Sequence, residues 1–298
     1  MVSRRTDLAL EAHELWKEGA EQTTKLSGVR ARNRRRDGYP VTEVEVLNRD
    51  GAAALGKPEG RYLTIDYADF WQRKPDFFER AVRALGSELK TLLPPDGSVL
   101  VVGLGNAAMT PDAVGPETLR HLLITRHLLS SMPRQFSGFR PVSALASDVL
   151  GKTGVESAEA VRGLVGETNP DCVVVVDALA ARRTSRLCNT VQLSNTGIVP
   201  GSGVGNHRAA LDETTLGVPV IAVGIPTVVD AVTLAADLLT EAGIPEPEEA
   251  HLRGHGGTMT VTPRDIDRQV RDLAKVVGYG INWALQELDI PEINALLS

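Results

Sequence analysis

The chain has 298 residues, 42% hydrophobic and 23% charged, enough to bury a substantial core in one large domain or two small ones. A net charge of −6 gives the whole molecule no basic footprint for nucleic acid or an anionic membrane, and no apolar run approaches the roughly 18 residues that a membrane span needs. Residues 1–20 are polar and charged, and the two cysteines, Cys172 and Cys188, fit free thiols in a reducing compartment, so a cytoplasmic protein is expected.

In chain order, Thr6 to Trp16 places Leu8, Ala12, Leu15 and Trp16 at helical spacing, with Thr6 or Asp7 as the cap. Val29 to Gly38 carries Arg30, Arg32, Arg34, Arg35 and Arg36 and ends in the turn pair Asp37-Gly38. It reads as a solvated turn with strands on either side, or as a patch that attracts acidic substrate or DNA. Strands are expected over Val41–Leu47 and Tyr62–Tyr67, broken at Gly56-Lys57-Pro58, as a small N-terminal β portion. A helix is expected over Asp76–Leu93.

The centre alternates strand and helix as a parallel sheet does. Strand Val99–Leu104 is followed by a helix from about Pro116 to Leu129, a helix near Ala158–Glu167, and strands Cys172–Val176, Thr190–Leu193 and Val218–Val223. Pro226 and Asp230 open an apolar helix to about Ala242, and residues 243–258, rich in Gly, Pro and Glu, read as a mobile loop. Thr262-Pro263-Arg264-Asp265 starts a helix over about 263–289 with Ile266, Val270, Leu273, Val277, Ile281 and Leu285 on its inner face.

Two carboxylates stand out. Asp112 follows the apolar strand VLVVGL through a Gly-rich turn, and Asp177 closes the run CVVVV at what reads as a strand end. In open parallel sheets the strand carboxyl ends line the ligand crevice, so the two can meet there. Asp112 after Thr110-Pro111 is equally a helix cap, whereas a charge after four valines needs a partner or a solvent-lined cleft. Repulsion within such a pair raises the pKa of one member, giving a proton donor beside a base that activates water, an arrangement suited to amide hydrolysis.

Gly105-Asn106 and Gly201-Ser202-Gly203-Val204-Gly205-Asn206 are turns whose amides can hold an oxyanion or a substrate backbone, or simply turn the chain. Ala108 stands where a dinucleotide fingerprint needs its third glycine, and Ser202 lies outside a Gly-x-Ser-x-Gly elbow. His251 and His255 flank Arg-Gly in a loop rather than a helix face, and His121 and His127 read as packing or surface residues. No metal ligand set is assigned, although Asp112 and Asp177 are a donor type that hard divalent cations accept.

The segments RTDLALEAHE, GLGNAAMTPDAVGP, FRPVSALASDVLGKTGVES, VVVVDALAARR, NTGIVPGSGVGN, LGVPVIAVGIPTVVDA and VTPRDID resemble, in this order, the spore germination protease family, endopeptidases that degrade small acid-soluble spore proteins. The resemblance implies a three-layer phosphorylase/hydrolase-like α/β fold akin to hydrogenase maturation proteases, with a mostly parallel central sheet. It also implies a homotetramer in the forespore or spore core, with those spore proteins as substrates, no membrane or direct nucleic-acid partner, and no required cofactor. Asp112 and Asp177 match the family's catalytic aspartates. Family cleavage sites, an acidic residue then a hydrophobic one and alanine, match Asp7-Leu8-Ala9, which implies self-cleavage between Asp7 and Leu8. Residues 1–7 would then be a propeptide and 8–298 a single peptidase domain. Ala107-Ala108 departs from the bulkier aromatic expected of many relatives. A metal-dependent maturation-type protease and a silent peptide-binding protein are the alternatives.

Overall fold

Valines 173–176 alternate between two faces of one sheet, and that alternation builds the molecule. In the computed structural model, which describes residues 4–19, 26–202, 208–245, 253–254 and 259–297, every strand joins a single nine-stranded sheet. The elements in chain order are α1 (Ala9–Gly19), β1 (Val29–Arg36), β2 (Tyr39–Val46), α2 (Arg49–Leu55), β3 (Gly60–Asp66), α3 (Phe77–Lys90) and β4 (Val99–Leu104). Then come α4 (Val114–Leu119), α5 (Arg126–Ser131), β5 (Val142–Ser147), α6 (Leu150–Thr153), α7 (Ser157–Thr168), β6 (Cys172–Ala181) and β7 (Thr190–Ser194). The chain continues with α8 (Glu213–Leu216), β8 (Val220–Asp230), α9 (Ala231–Glu241), β9 (Thr260–Val261), α10 (Ile266–Gln286) and α11 (Ile290–Leu297).

The strand order is β1-β2-β3-β7-β8-β6-β4-β5, with β9 added on β8. The neighbours β8, β6, β4 and β5 run parallel, and the flank from β7 to β1 is antiparallel. The N-terminal strands are therefore a continuation of the central sheet rather than a separate unit. Cys172, Val174 and Val176 pack with α3 and α10 on one face, while Val173 and Val175 pack with Ala158, Val161 and Val165 of α7 on the other. Each buried valine is worth about 1.5–3 kcal/mol, so strand β6 anchors both cores of a three-layer α/β domain. The inner face of α10 is as its periodicity predicts, with Ile266, Val270, Leu273, Val277, Ile281 and Leu285 all buried. No helix among the described residues is long and apolar enough to cross a membrane.

Several expected boundaries move. The helix expected from Pro116 to Leu129 breaks after Leu119, because buried Asn282 of α10 accepts the Leu123 N–H at 2.9 Å and donates to the His121 carbonyl at 2.9 Å, satisfying a turn in place of helical bonds. Strand β8 runs past Val223 to Asp230, and Pro226 lies inside it rather than opening a helix; Asp230 does cap α9, accepting the Thr233 N–H at 3.0 Å. Helix α10 begins at Ile266 and stops at Gln286, where Glu287 turns left-handed at φ 56°. Of the expected loop 243–258, residues 246–252 and 255–258 lie outside the described residues.

The arginine run is itself the edge strand β1, paired with β2 around the Asp37-Gly38 turn, rather than a turn between strands. Fully buried Glu88 of α3 receives Arg34 and Arg36, the latter at 2.9 Å; Arg34 also meets Glu43 at 2.8 Å, and Arg30 meets Glu45 at 3.3 Å. Charged side chains along an exposed edge also discourage further strand addition. A Glu88→Gln protein is expected to lose about 1.5–3 kcal/mol, the range for hydrogen bonds to charged groups. An unchanged urea midpoint would contradict this account of the edge.

Candidate active site

Strand β6 outlasts its neighbour β4. Gly103 pairs with Val176, the last match between them, and Asp177 comes next, opposite Gly224 of β8. Asp177 is thus the sixth residue of a ten-residue strand, not its end, and it has no partner on β4. A register shift between Leu179 and Ala180 follows it. By alternation it shares the sheet face of Val173 and Val175, yet only 5% of it is exposed.

The turn that leaves β4 brings Asp112 back over this gap. Helix α4 lies against β4 backbone to backbone, since a Cβ on Gly103 would stand 2.6 Å from Gly115 and one on Gly115 2.3 Å from the Leu104 carbonyl. Gly105, at φ +111°, turns the chain so closely that a Cβ there would lie 2.0 Å from the Asp112 carbonyl oxygen. The Asn106 N–H then donates to Asp112 Oδ2 at 2.8 Å, fixing the carboxylate that ends the short 3-10 turn Thr110–Asp112.

Both aspartates line one cleft of about 720 Å³, with Asp7, Asp148, Gly201 and Asp230 also in its wall. Burial, then the charge of Asp112 and that of Asp7, push the Asp177 carboxyl well above its ordinary range against a single opposing Ala178 N–H. Burial and Asp148 raise Asp112 more moderately, opposed by the Asn106 N–H and Lys152. The expected inequality is present, but burial contributes more to it than repulsion does.

From the N-terminal segment, Arg5 and Asp7 stand in the wall of the same cleft. Arg4 pairs with Asp237 at 2.6 Å, and Asp7 exchanges bonds with Ala180: its N–H donates to the Ala180 carbonyl at 2.9 Å and its Oδ2 accepts the Ala180 N–H at 2.8 Å. Ser202 Oγ donates to Asp7 Oδ1 at 2.5 Å. Leu8 is fully buried against Leu179, Ala181, Leu187 and Val229. Fully buried Glu11, at the start of α1, holds the segment down by accepting the N–H groups of Arg182 at 2.6 Å and Arg183 at 2.9 Å.

Asp112, Asp177, Asp7, Gly105 and Gly201 therefore converge on one cleft, with Ser202 bound to Asp7 and Leu8 in the adjoining apolar pocket. The Asn106 amide serves Asp112 rather than a free oxyanion site, and Gly203, Gly205 and Asn206 lie outside the described residues. His121 lies in the turn after α4 and His127 on α5, away from the cleft wall. Among the described residues, no three His, Cys, Asp or Glu side chains group as metal ligands; His251 and His255 are not among them. Sequence reasoning missed Asp148 and Lys152, whose Nζ donates to Asn106 Oδ1 at 2.6 Å, and Lys57 and Gln192, which donate to the Asp7 carbonyl. A carboxylate after strand β5 was the available signal for Asp148; a lysine inside a Gly-Lys-Pro breaker gave none.

The family model described as germination protease matches residues 9–241 of this chain. A germination protease of Caldanaerobacter subterraneus subsp. tengcongensis is 43% identical, covering 98% of both chains, and one of Clostridium perfringens is 40% identical, covering 100% of both. Among solved structures, the NiFe hydrogenase maturation protease HycI of Thermococcus kodakarensis aligns with a TM-score of 0.35 at 15% identity, covering 65% of this chain and 99% of that one.

Proposed function

This chain belongs to the germination protease family, and we propose that it is an endopeptidase made as a zymogen, which uses Asp112 and Asp177 to cut its own Asp7–Leu8 bond and then small acid-soluble spore proteins. One observation carries this: Asp7 of its own N-terminal segment stands in the wall of the cleft that Asp112 and Asp177 line, with Leu8 in the apolar pocket beside it. The acidic side chain of Asp7 is held by Ser202 and the Ala180 N–H, and the hydrophobic side chain of Leu8 fills a closed apolar pocket. These two niches supply a physical basis for cleavage after an acidic residue and before a hydrophobic one.

Two carboxyls with separated proton affinities divide the chemistry. In this reading Asp177, the more deeply buried and the more strongly raised, is the carboxyl that carries the proton, and Asp112, whose carboxylate accepts the Asn106 N–H, is the base. Asp112 takes a proton from water as the water oxygen bonds to the carbonyl carbon. Asp177 then protonates the amide nitrogen as the C–N bond breaks, leaving a carboxyl group and an amine. The proton gained by Asp112 returns the pair to its singly protonated state. The protein acts in this proposal as a homotetramer in the spore core, with no direct nucleic-acid partner and no required cofactor.

Chain processed at Leu8 and mixed with a purified small acid-soluble spore protein, with and without chelator, tests the assignment by mass spectrometry of the fragments. Cleavage between an acidic and a hydrophobic residue that survives chelation is expected. Cleavage lost with chelator would move the chemistry to a metal, and absence of cleavage would contradict the protease assignment.

A further inference from the structure

We propose that Lys57 and Gln192 are the oxyanion site of this protease, binding the carbonyl oxygen of the residue that precedes the cleaved bond. The inference rests on Asp7–Leu8 being the bond that is cut. Helix α2 ends at Gly56, whose left-handed φ of 62° turns the chain and sends the next side chain inward. Lys57 Nζ donates to the Asp7 carbonyl at 2.9 Å and, at the longer distance of 3.3 Å, to the Thr6 carbonyl. From β7, the strand that pairs with the β3 following Lys57, Gln192 donates its Nε2 to the same Asp7 oxygen at 3.3 Å, while its Oε1 accepts the Ala9 N–H at 2.8 Å.

One charged donor and one neutral donor thus meet on a single carbonyl, and the Gln192 carboxamide spans the Asp7–Leu8 bond. This oxygen is where negative charge develops when water adds to the carbonyl carbon. The ammonium is directed at carbonyls instead of a carboxylate, against its desolvation: burial draws the Lys57 pKa down, and Asp7 and Glu11 oppose that only in part. The obvious competing donors are occupied, since the Asn106 N–H serves Asp112 and the Ala178 N–H serves Asp177. Once residues 1–7 are gone, a spore-protein segment docking where Asp7 lay would present its own acidic residue's carbonyl to the same two donors. In the balanced hydrolysis, Lys57 and Gln192 neither gain nor lose a proton; they hold the oxyanion until the C–N bond breaks.

The test follows release of residues 1–7 from the full chain by intact mass, for the wild type and for Lys57→Met, Lys57→Gln and Lys57→Arg, each shown to fold by thermal melting. Hydrogen exchange at the Asp7 and Ala9 amides reports whether the segment stays docked. Lys57→Met is expected to slow release roughly 10²–10³-fold, the usual loss on removing one oxyanion donor, with exchange protection unchanged. Lys57→Gln, which keeps a neutral donor, should fall between, and Lys57→Arg should recover most of the rate. Equal rates in the folded variants would overturn the proposal, as would slowing accompanied by a matching loss of protection, which marks an anchoring role alone. No release from the wild-type chain would overturn the self-cleavage on which the inference rests, and the inference with it.

Discussion

An Asp177→Asn protein is expected to retain residues 1–7 and to leave spore proteins uncut, a loss of roughly 10²–10⁴-fold or more for removing a proton donor, while melting at a higher temperature than the wild type at neutral pH. The second effect follows from the same burial as the first. The folded-state pKa of Asp177 lies well above its unfolded value of about 3.9. The stability that its proton contributes is fully present below that unfolded value and is lost as pH rises through the raised folded one. Asparagine does not titrate, keeps an oxygen for the Ala178 N–H, and removes the repulsion from Asp112 and Asp7. The melting difference should therefore be small in acid and open as pH rises, with each ~1 kcal/mol of relief worth roughly 2–4 °C in a domain of this size. Thermal scans from acid to neutral pH check the sign. Retained cleavage, or a melting point at or below the wild type throughout, would contradict the placement of a buried proton on Asp177.

Gly105→Ala should be nearly as damaging to activity without touching a titratable group. The added Cβ would lie 2.0 Å from the Asp112 carbonyl oxygen, and φ +111° is strained for alanine regardless of space. Backbone cannot yield as a flexible side chain does, so the turn from Gly105 to Asp112 must shift, and with it the 2.8 Å bond from the Asn106 N–H to Asp112. Strain of this kind costs about 1–3 kcal/mol, and displacing a reacting group by about 1 Å can cost roughly 10²-fold in rate. A urea titration together with the rate of Asp7–Leu8 cleavage measures both. A folded Gly105→Ala protein that processes at the wild-type rate would show that Asp112 is not positioned by this turn.

Three of the four parallel strands, β4, β6 and β8, were legible because they are continuous apolar runs, and α10 because its apolar spacing spans six turns; the edge strand β5, with its serines and half-buried residues, carries no such run. What local pattern could not reveal was where strands stop. Asp177 ends the valine run, but β6 continues through Ala181 because β8 continues beside it, with Leu179 opposite Pro226 and Ala180 opposite Val228 at a register shift. Pro226 sits at that irregularity, where its missing N–H breaks no regular ladder. The arginine run hid a strand because its pairing with β2 and its anchor at Glu88, 52 residues beyond Arg36, are both tertiary. The two aspartates could be paired from sequence since each follows a continuous apolar run. Lys57 and Gln192 could not: an isolated lysine in a turn and a glutamine in a strand acquire meaning only when Asp7 is found between them.

The most direct measurement is the intact mass of the full chain through time at mildly acidic pH, beside an Asp112→Asn chain of equal stability. Loss of residues 1–7 from the wild type, giving a chain that begins at Leu8, with no such loss from Asp112→Asn, is the predicted result. An unchanged wild-type mass while activity appears, or Asp112→Asn processed at the wild-type rate, would contradict self-cleavage by the aspartate pair.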